Sequence, residues 1–220
     1  MVLVTSRDRS GEASATLAAA DPAMASLIER LGPVDLDSWR ARWSLTPFMA
    51  LARSIMGQQI AGRAAEAIFG RFRDLVGDRD PAEAIAGATD EQLRAVGLSA
   101  AKARAVRDLA ARTLDGRLEI DRIEELSDDE ARAQLMAVRG IGAWTADIFL
   151  LAQLGRADIL PAGDLGVRHA VKRLDGLDEL PTEQQVRARG EVWRPYRSLA
   201  TAYLYTSLRD PAQDERMRSG

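Results

Sequence analysis

Three groups of residues have types and spacings suited to chemistry. The run LMAVRGIGAWTADIFLLAQL (135–154) breaks a helical pattern at Gly140-Ile141-Gly142 and sets Trp144 just after the break. Asp164 follows twenty residues beyond Trp144, behind Leu160-Pro161-Ala162-Gly163. The amide pair Gln58-Gln59 interrupts the otherwise apolar segment SIMGQQIAG (54–62). The two hairpin glycines allow positive φ and a close backbone approach, and Ile141 between them can plug the core. A second helix then begins at about Gly142, with its first N–H groups unpaired and pointing outward. Such a helix start carries partial positive charge and binds phosphate without any lysine. The plainer reading is an ordinary turn between two helices. From its position alone, Asp164 is the N-cap of the helix LGVRHAVKRL. For Gln58 and Gln59 the plain alternative is two buried amides that cap neighbouring turns.

Composition narrows what these groups can serve. A chain of 220 residues holds one or two small domains with a real core. Its 30 basic and 33 acidic residues leave a net charge of −3. No global field draws nucleic acid, so any grip on a polyanion rests on a local patch or on backbone donors. The sequence has no cysteine, which excludes disulfides, iron–sulfur clusters, thiol nucleophiles and cysteine-bound zinc. His169 is the single histidine, so a histidine-based metal site is nearly excluded as well. No apolar run reaches the ~18 residues of a membrane span. The start, MVLVTSRDRSGEASATLAAADP, is too short and interrupted in its apolar part for a signal peptide. Residues 1–20 are expected to be a disordered lead-in and 210–220 a flexible tail. The expected location is the cytoplasm, at the nucleoid in a prokaryote.

The elements that must position these residues are helices. Asp21-Pro22 and Thr46-Pro47 each pair an N-cap with a proline at the first helical position. Capping boxes stand at Thr89 with Gln92, Ser127 with Glu130, and Thr182 with Gln185. Gly116, Gly155 and Gly176 fall where helices stop. Strand-like alternation is missing. The pattern predicts an all-α fold of about nine helices over residues 21–209. Two stretches, 93–110 and 135–152, share Leu-x-Ala-Val, a glycine turn and an alanine-rich helix. Either both are helical hairpins or both are alanine-rich helices joined by glycine.

The segment Gly140-Ile141-Gly142-Ala143-Trp144-Thr145-Ala146, followed by RADILPAGDLGVRHAVKRL (156–174), resembles the helix-hairpin-helix (HhH-GPD) DNA glycosylases. Within them it is similar to the 3-methyladenine branch of the AlkA type. FMALARSIMGQQIAGRAA (48–65) and WRPYRSLATAYLY (193–205) match in the same order, so the likeness spans roughly residues 36–209. It implies two small helical subdomains with the active-site cleft between them, in a compact form without the N-terminal sheet domain of longer members. Asp164 would be the catalytic carboxylate. Cleaving an N-glycosidic bond leaves positive charge on the sugar, which a fixed carboxylate stabilises while helping to deprotonate the attacking water. Bifunctional members place a Schiff-base lysine on the second hairpin helix; here that position is Trp144, and Lys102 does not match it. A monofunctional enzyme without lyase activity is therefore expected.

The resemblance further implies a base pocket with Trp144 and Tyr205, the plain reading of both being hydrophobic core. Ile148 stands where the type has another aromatic. A flipped-out alkylated purine is cationic, and an indole face attracts a cation by ~0.5–2 kcal/mol. Trp39, Trp43 or Phe48 would replace any pocket residue supplied by the missing domain. DNA contacts fall on Gly140, Ile141, Gly142, Thr145, Gln58 and Gln59, with Gln59 filling the gap left by the flipped base. Ala61 replaces a hydroxyl residue usual after the GQQI stretch. A structural monovalent or alkaline-earth cation would sit on the main-chain carbonyls of Met136, Val138 and Ile141, and no other cofactor is required. Asp147 and Asp158 are expected to be solvated surface or local caps. The expected partner is double-stranded DNA containing alkylated bases, met by a monomer. Alternatives are a non-catalytic helix-hairpin-helix DNA-binding module, a glycosylase of the same fold for deaminated or mismatched bases, and a protein-binding helical bundle.

Overall fold

A computed structural model of the chain describes residues 6–36 and 45–209. Trp39, Trp43 and the tail 210–220 lie outside them. The described residues hold twelve α-helices and no strand. The count exceeds the nine read from sequence because short helices such as α5 (Pro81–Ala86) are too brief to show a full apolar period; α6 (Asp90–Val96) is as short and is legible only through its Thr89 capping box. Residues 6–20 correct the expected disordered lead-in. They form helix α1 (Ser6–Ala20), which buries Ala13 and Leu17.

The chain divides into two compact units, Met1–Arg42 with Gly155–Gly220, and Trp43–Leu154. In the first, α1 precedes α2 (Pro22–Leu31), α10 (Leu165–Leu174), α11 (Glu183–Arg189), a 3₁₀ turn (Gly190–Trp193) and α12 (Arg197–Ser207). Leu17, Met24, Leu27, Val167, Val171, Trp193, Tyr203 and Leu204 form its core. Asp21 caps α2 by accepting the Ala23 and Met24 N–H groups, with Pro22 supplying a pre-set φ. The same carboxylate also accepts Trp193 Nε1–H (2.7 Å) and Arg189 Nη2–H (2.6 Å). Burial alone would push its pKa up, but Trp193 and Arg189 together hold it below the ordinary carboxylate value.

The second unit holds α3 (Pro47–Gly57), α4 (Gly62–Val76), α5, α6, α7 (Ala100–Leu114), a 3₁₀ turn (Ile120–Arg122), α8 (Asp128–Met136) and α9 (Ala143–Ile148). Helix α7 is the hub, packing against α3, α5 and α6. All three expected capping boxes form, at Thr89, Ser127 and Thr182. Thr46 occupies the N-cap of α3 but makes no side-chain cap bond. Ala61 is the N-cap of α4 and likewise offers none, so the hydroxyl it replaces is one that would cap this helix.

Candidate active site

The hairpin joins α8 to α9, and α9 continues into one π-helical turn (Phe149–Gln153) closed by Leu154 N–H on the Phe149 carbonyl (3.1 Å). Gly140 takes φ +81°, a conformation that an L side chain rarely adopts. Gly142 is extended instead (φ −94°, ψ 175°) and is the N-cap of α9, with no side chain to satisfy the first N–H groups. Ile141 is buried, as its plug role requires, and its N–H bonds the Val138 carbonyl (3.1 Å). The two arms are clamped by Arg132 on α8, whose Nε (2.8 Å) and Nη2 (2.6 Å) donate to Asp147 on α9.

One face of α7 holds this turn in place. Residues 102, 105 and 108 recur at the three-residue spacing that puts side chains on one helix face. Asp108 accepts the Arg139 N–H at 2.7 Å and is paired with Arg112 Nε at 3.0 Å. Burial pushes the Asp108 carboxyl up, but the Arg139 N–H and the Arg112 guanidinium bring it below its ordinary pKa. A Cβ added at Gly140 would lie 3.5 Å from Ala105 Cβ, so the turn rests directly on α7. Lys102, one turn earlier, donates its ammonium to the carbonyls of Met56 (2.7 Å) and Gln58 (2.8 Å), where α3 ends. Gln58 Nε2 in turn donates to the Gly140 carbonyl (2.9 Å). Gln59 is exposed and has φ +59°, the only non-glycine positive φ among the described residues. Such a conformation costs about 1–3 kcal/mol and persists only where its surroundings impose it. A cleft of about 320 Å³ opens beside this loop, lined by Gln58, Gln59, Lys102, Arg104, Arg139 and Gly140 among others.

The other unit carries the carboxylate. The Asp164 N–H bonds the Pro161 carbonyl (2.9 Å), which turns the chain into α10. Its Oδ1 caps that helix by accepting the Val167 N–H (2.8 Å). Oδ2 takes no hydrogen bond among the described residues, so the cap leaves one oxygen for other work. A Cβ at Gly166 would stand 2.9 Å from Asp164 Oδ1 and 3.4 Å from Tyr205 Cε1. The missing side chain at Gly166 thus leaves the space that the carboxylate and the Tyr205 ring both border.

Residues 52–195 match the HhH-GPD superfamily of base excision DNA repair proteins. The chain belongs to that superfamily. DNA-3-methyladenine glycosylase 1 of Schizosaccharomyces pombe is 34% identical over 162 residues, covering 72% of this chain and 71% of that protein. Among solved structures, the S. pombe 3-methyladenine DNA glycosylase in complex with abasic DNA aligns at TM-score 0.76 and 30% identity, over 91% of this chain and 98% of the other. The Bacillus halodurans DNA-3-methyladenine glycosidase aligns at TM-score 0.79 and 33% identity, over 89% and 88%. The protein is accordingly a DNA glycosylase.

The glycosylase fold sorts the expected site residues into two groups. Gly140, Ile141, Gly142, Trp144, Thr145, Ile148, Gln58 and Gln59 lie in one unit, Asp164 and Tyr205 in the other. Trp144 is 50% exposed, which removes the core reading for it. Tyr205 is half-buried and packs against the core of its unit. Three expectations are corrected. Thr145 is buried, so its part in any DNA contact narrows to its main chain. Phe48 lies in the core and is no substitute for a pocket aromatic. Asp147 is buried and holds Arg132 rather than lying on a solvated surface, while half-buried Asp158 accepts from Arg194 Nη1 (2.6 Å), Arg197 Nε (2.7 Å) and the Arg197 N–H at the start of α12 (3.4 Å).

Sequence reasoning missed Gly166, Asp108 and the work of Lys102, because Tyr205, Arg139 and Met56, which they face, lie 31 to 46 residues away in the chain. Among the described residues no cluster of side chains could hold a metal. A hairpin cation would have to rest on main-chain oxygen. Carbonyl donors suit a hard monovalent or alkaline-earth ion, and the Val138 carbonyl already shares one lone pair with the Ile141 N–H.

Proposed function

We propose that this glycosylase is a monofunctional base excision enzyme that, as a monomer, hydrolyses the N-glycosidic bond of alkylated purines such as 3-methyladenine in duplex DNA. The observation that carries the reading is Asp164, held by the α10 cap at Oδ1 beside Tyr205 with Oδ2 unengaged. Water attacks C1′ and gives up a proton, the C1′–N bond breaks, and the base leaves with the bonding pair. Asp164 stabilises the positive charge that develops on the sugar and accepts the proton of the water. An alkylated purine already carries positive charge, so it is a good leaving group and is attracted to the exposed indole of Trp144. The named relatives act in the same direction, being 3-methyladenine glycosylases.

Lyase chemistry needs an amine that can attack the sugar. The sequence contains two lysines, Lys102 and Lys172. Lys102 is committed to two carbonyls, and Lys172 sits in the last turn of α10, far along the helix from Asp164. On the DNA side, the uncapped start of α9 takes a backbone phosphate, Gln59 enters the minor groove as the wedge, and the carbonyls of Met136, Val138 and Ile141 are the oxygens for a structural cation. Such an ion would add positive charge beside the phosphate.

The test is base release from methylated duplex DNA, wild type beside Asp164→Asn, with borohydride added in a parallel reaction. Free 3-methyladenine from the wild type alone, without a trapped covalent adduct, is the expected result. Release of deaminated bases only would move the enzyme to another substrate class. A borohydride-trapped adduct would overturn the monofunctional assignment.

A further inference from the structure

The strained residue Gln59 stands at the end of a chain of contacts that the proposed reaction does not itself use. Helix α3 stops at Gly57, which leaves its last carbonyls without intrahelical partners. Two of the carbonyls at this point, Met56 and Gln58, are taken by one ammonium, that of Lys102. They flank the position from which the chain turns into the positive-φ conformation of Gln59. The Gln58 side chain points the other way and donates to the Gly140 carbonyl in the hairpin turn. The hairpin turn is in turn seated on α7 by Asp108 and Ala105, on the same helix face as Lys102. Helix α7 therefore grips both the loop and the turn, and Gln58 ties the two to each other.

We infer that Lys102 and Gln58 are positioning residues that hold Gln59 raised and in fixed register with the hairpin, so that phosphate capture and wedge insertion occur as one event. The inference rests on the wedge role proposed for Gln59. Gln58 thereby spends one amide N–H on the hairpin carbonyl, which ties its side chain to the turn. A lysine is needed at position 102 because three N–H donors on a flexible stem can serve two carbonyls at once. Methionine matches the length and bulk of the stem but donates nothing.

The test compares wild type, Lys102→Met, Gln59→Ala and the double variant, with Gln58→Leu as a second probe of the same lock. Amide hydrogen exchange is read at residues 58–61 and at α12, and single-turnover release is measured on duplex DNA with one 3-methyladenine-type lesion. Lys102→Met and Gln58→Leu should each speed exchange at 58–61 at least tenfold and leave α12 unchanged. Lys102→Met should slow release about tenfold when Gln59 is present and less than twofold when it is alanine. Unchanged exchange at 58–61, or an equal loss in both backgrounds, overturns the inference. Absence of release by the wild type would sink the glycosylase reading instead, and the lock would then stand or fall on the exchange result.

Discussion

Asp164 and Tyr205 both border the place where a side chain at Gly166 would stand. Atoms of both lie within 3.4 Å of where a Gly166 Cβ would be, and Asp164 Oδ1 is the nearer at 2.9 Å. A contact that short forces a shift, and the short, capped aspartate has little room to give. Gly166→Ala should therefore move the carboxylate by a fraction of an ångström while leaving the φ of the helix undisturbed. A displacement of about 1 Å can cost ~100-fold in rate, so a 10- to 100-fold loss of single-turnover base release is expected, with affinity for abasic DNA unchanged. A rate equal to wild type would mean that Asp164 does not act on the sugar.

Trp144 offers a separate handle, because half of its surface is exposed and little packing depends on it. Trp144→Ala should leave thermal stability within the range of a surface substitution, about ±0.5 kcal/mol. The loss of a cation–π contact worth ~0.5–2 kcal/mol should lower kcat/KM on a cationic methylpurine by roughly 2- to 30-fold. A neutral base such as hypoxanthine should lose less. Equal losses on both substrates would show that Trp144 supplies area alone.

The sequence made the local part of this structure readable and left the rest dark. Thr89, Ser127 and Thr182 announced helix starts because a capping box is complete within four residues. Gly140 and Ile141 announced the hairpin for the same reason, since the glycine turn and its apolar plug are neighbours. Asp164 was visible as a cap, and only likeness to a family gave it a second role. Lys102 and Asp108 were opaque: a cation and an acid on an alanine-rich helix look like a solvated face until their partners, 46 and 31 residues distant, are placed. Asp147 misled in the opposite sense. An aspartate on a short helix is ordinarily a surface group, and nothing local reveals that Arg132 on the preceding helix pairs with it.

Acid should unfold the unit that contains Asp21 through a small set of carboxylates. Asp21 and Asp158 are both held below their ordinary value of 3.8: burial opposes this, and hydrogen bonds from Trp193 and Arg189, or from Arg197, outweigh it. A depressed folded-state pKa gives stability that is complete above the unfolded value and lost as pH falls through the folded one. The thermal midpoint should therefore be flat from pH 7 to about 5 and fall below about pH 4. Asp21→Ala should cost about 1–3 kcal/mol at pH 7, since it leaves the buried Trp193 N–H without its acceptor while Arg189 keeps Asp175. It should also flatten the acid limb. A variant with the same acid limb as wild type would assign that limb to other groups.

For a protein of net charge −3, the way DNA affinity responds to salt identifies which cations touch phosphate. Many arginines of the described residues are engaged in ion pairs, as Arg107 is with Asp90 and Arg197 with Asp158. Arg104 and Arg139 form no ion pair among those residues, are exposed, and line the cleft beside Gln59, whose lining includes no carboxylate. With Gln59 as the proposed wedge, each would neutralise one backbone phosphate beside it. Binding that neutralises Z phosphates weakens with salt at a logarithmic slope of about −0.9Z, so losing one contact should reduce the slope by about 1. Arg104→Gln and Arg139→Gln should each do so in fluorescence anisotropy titrations between about 50 and 200 mM salt, and the double variant should lose about 2. The weakening should be alike for damaged and undamaged duplexes, because a phosphate contact carries no base information. Slopes that stay at the wild-type value would leave the α9 helix start as the sole phosphate grip of this unit.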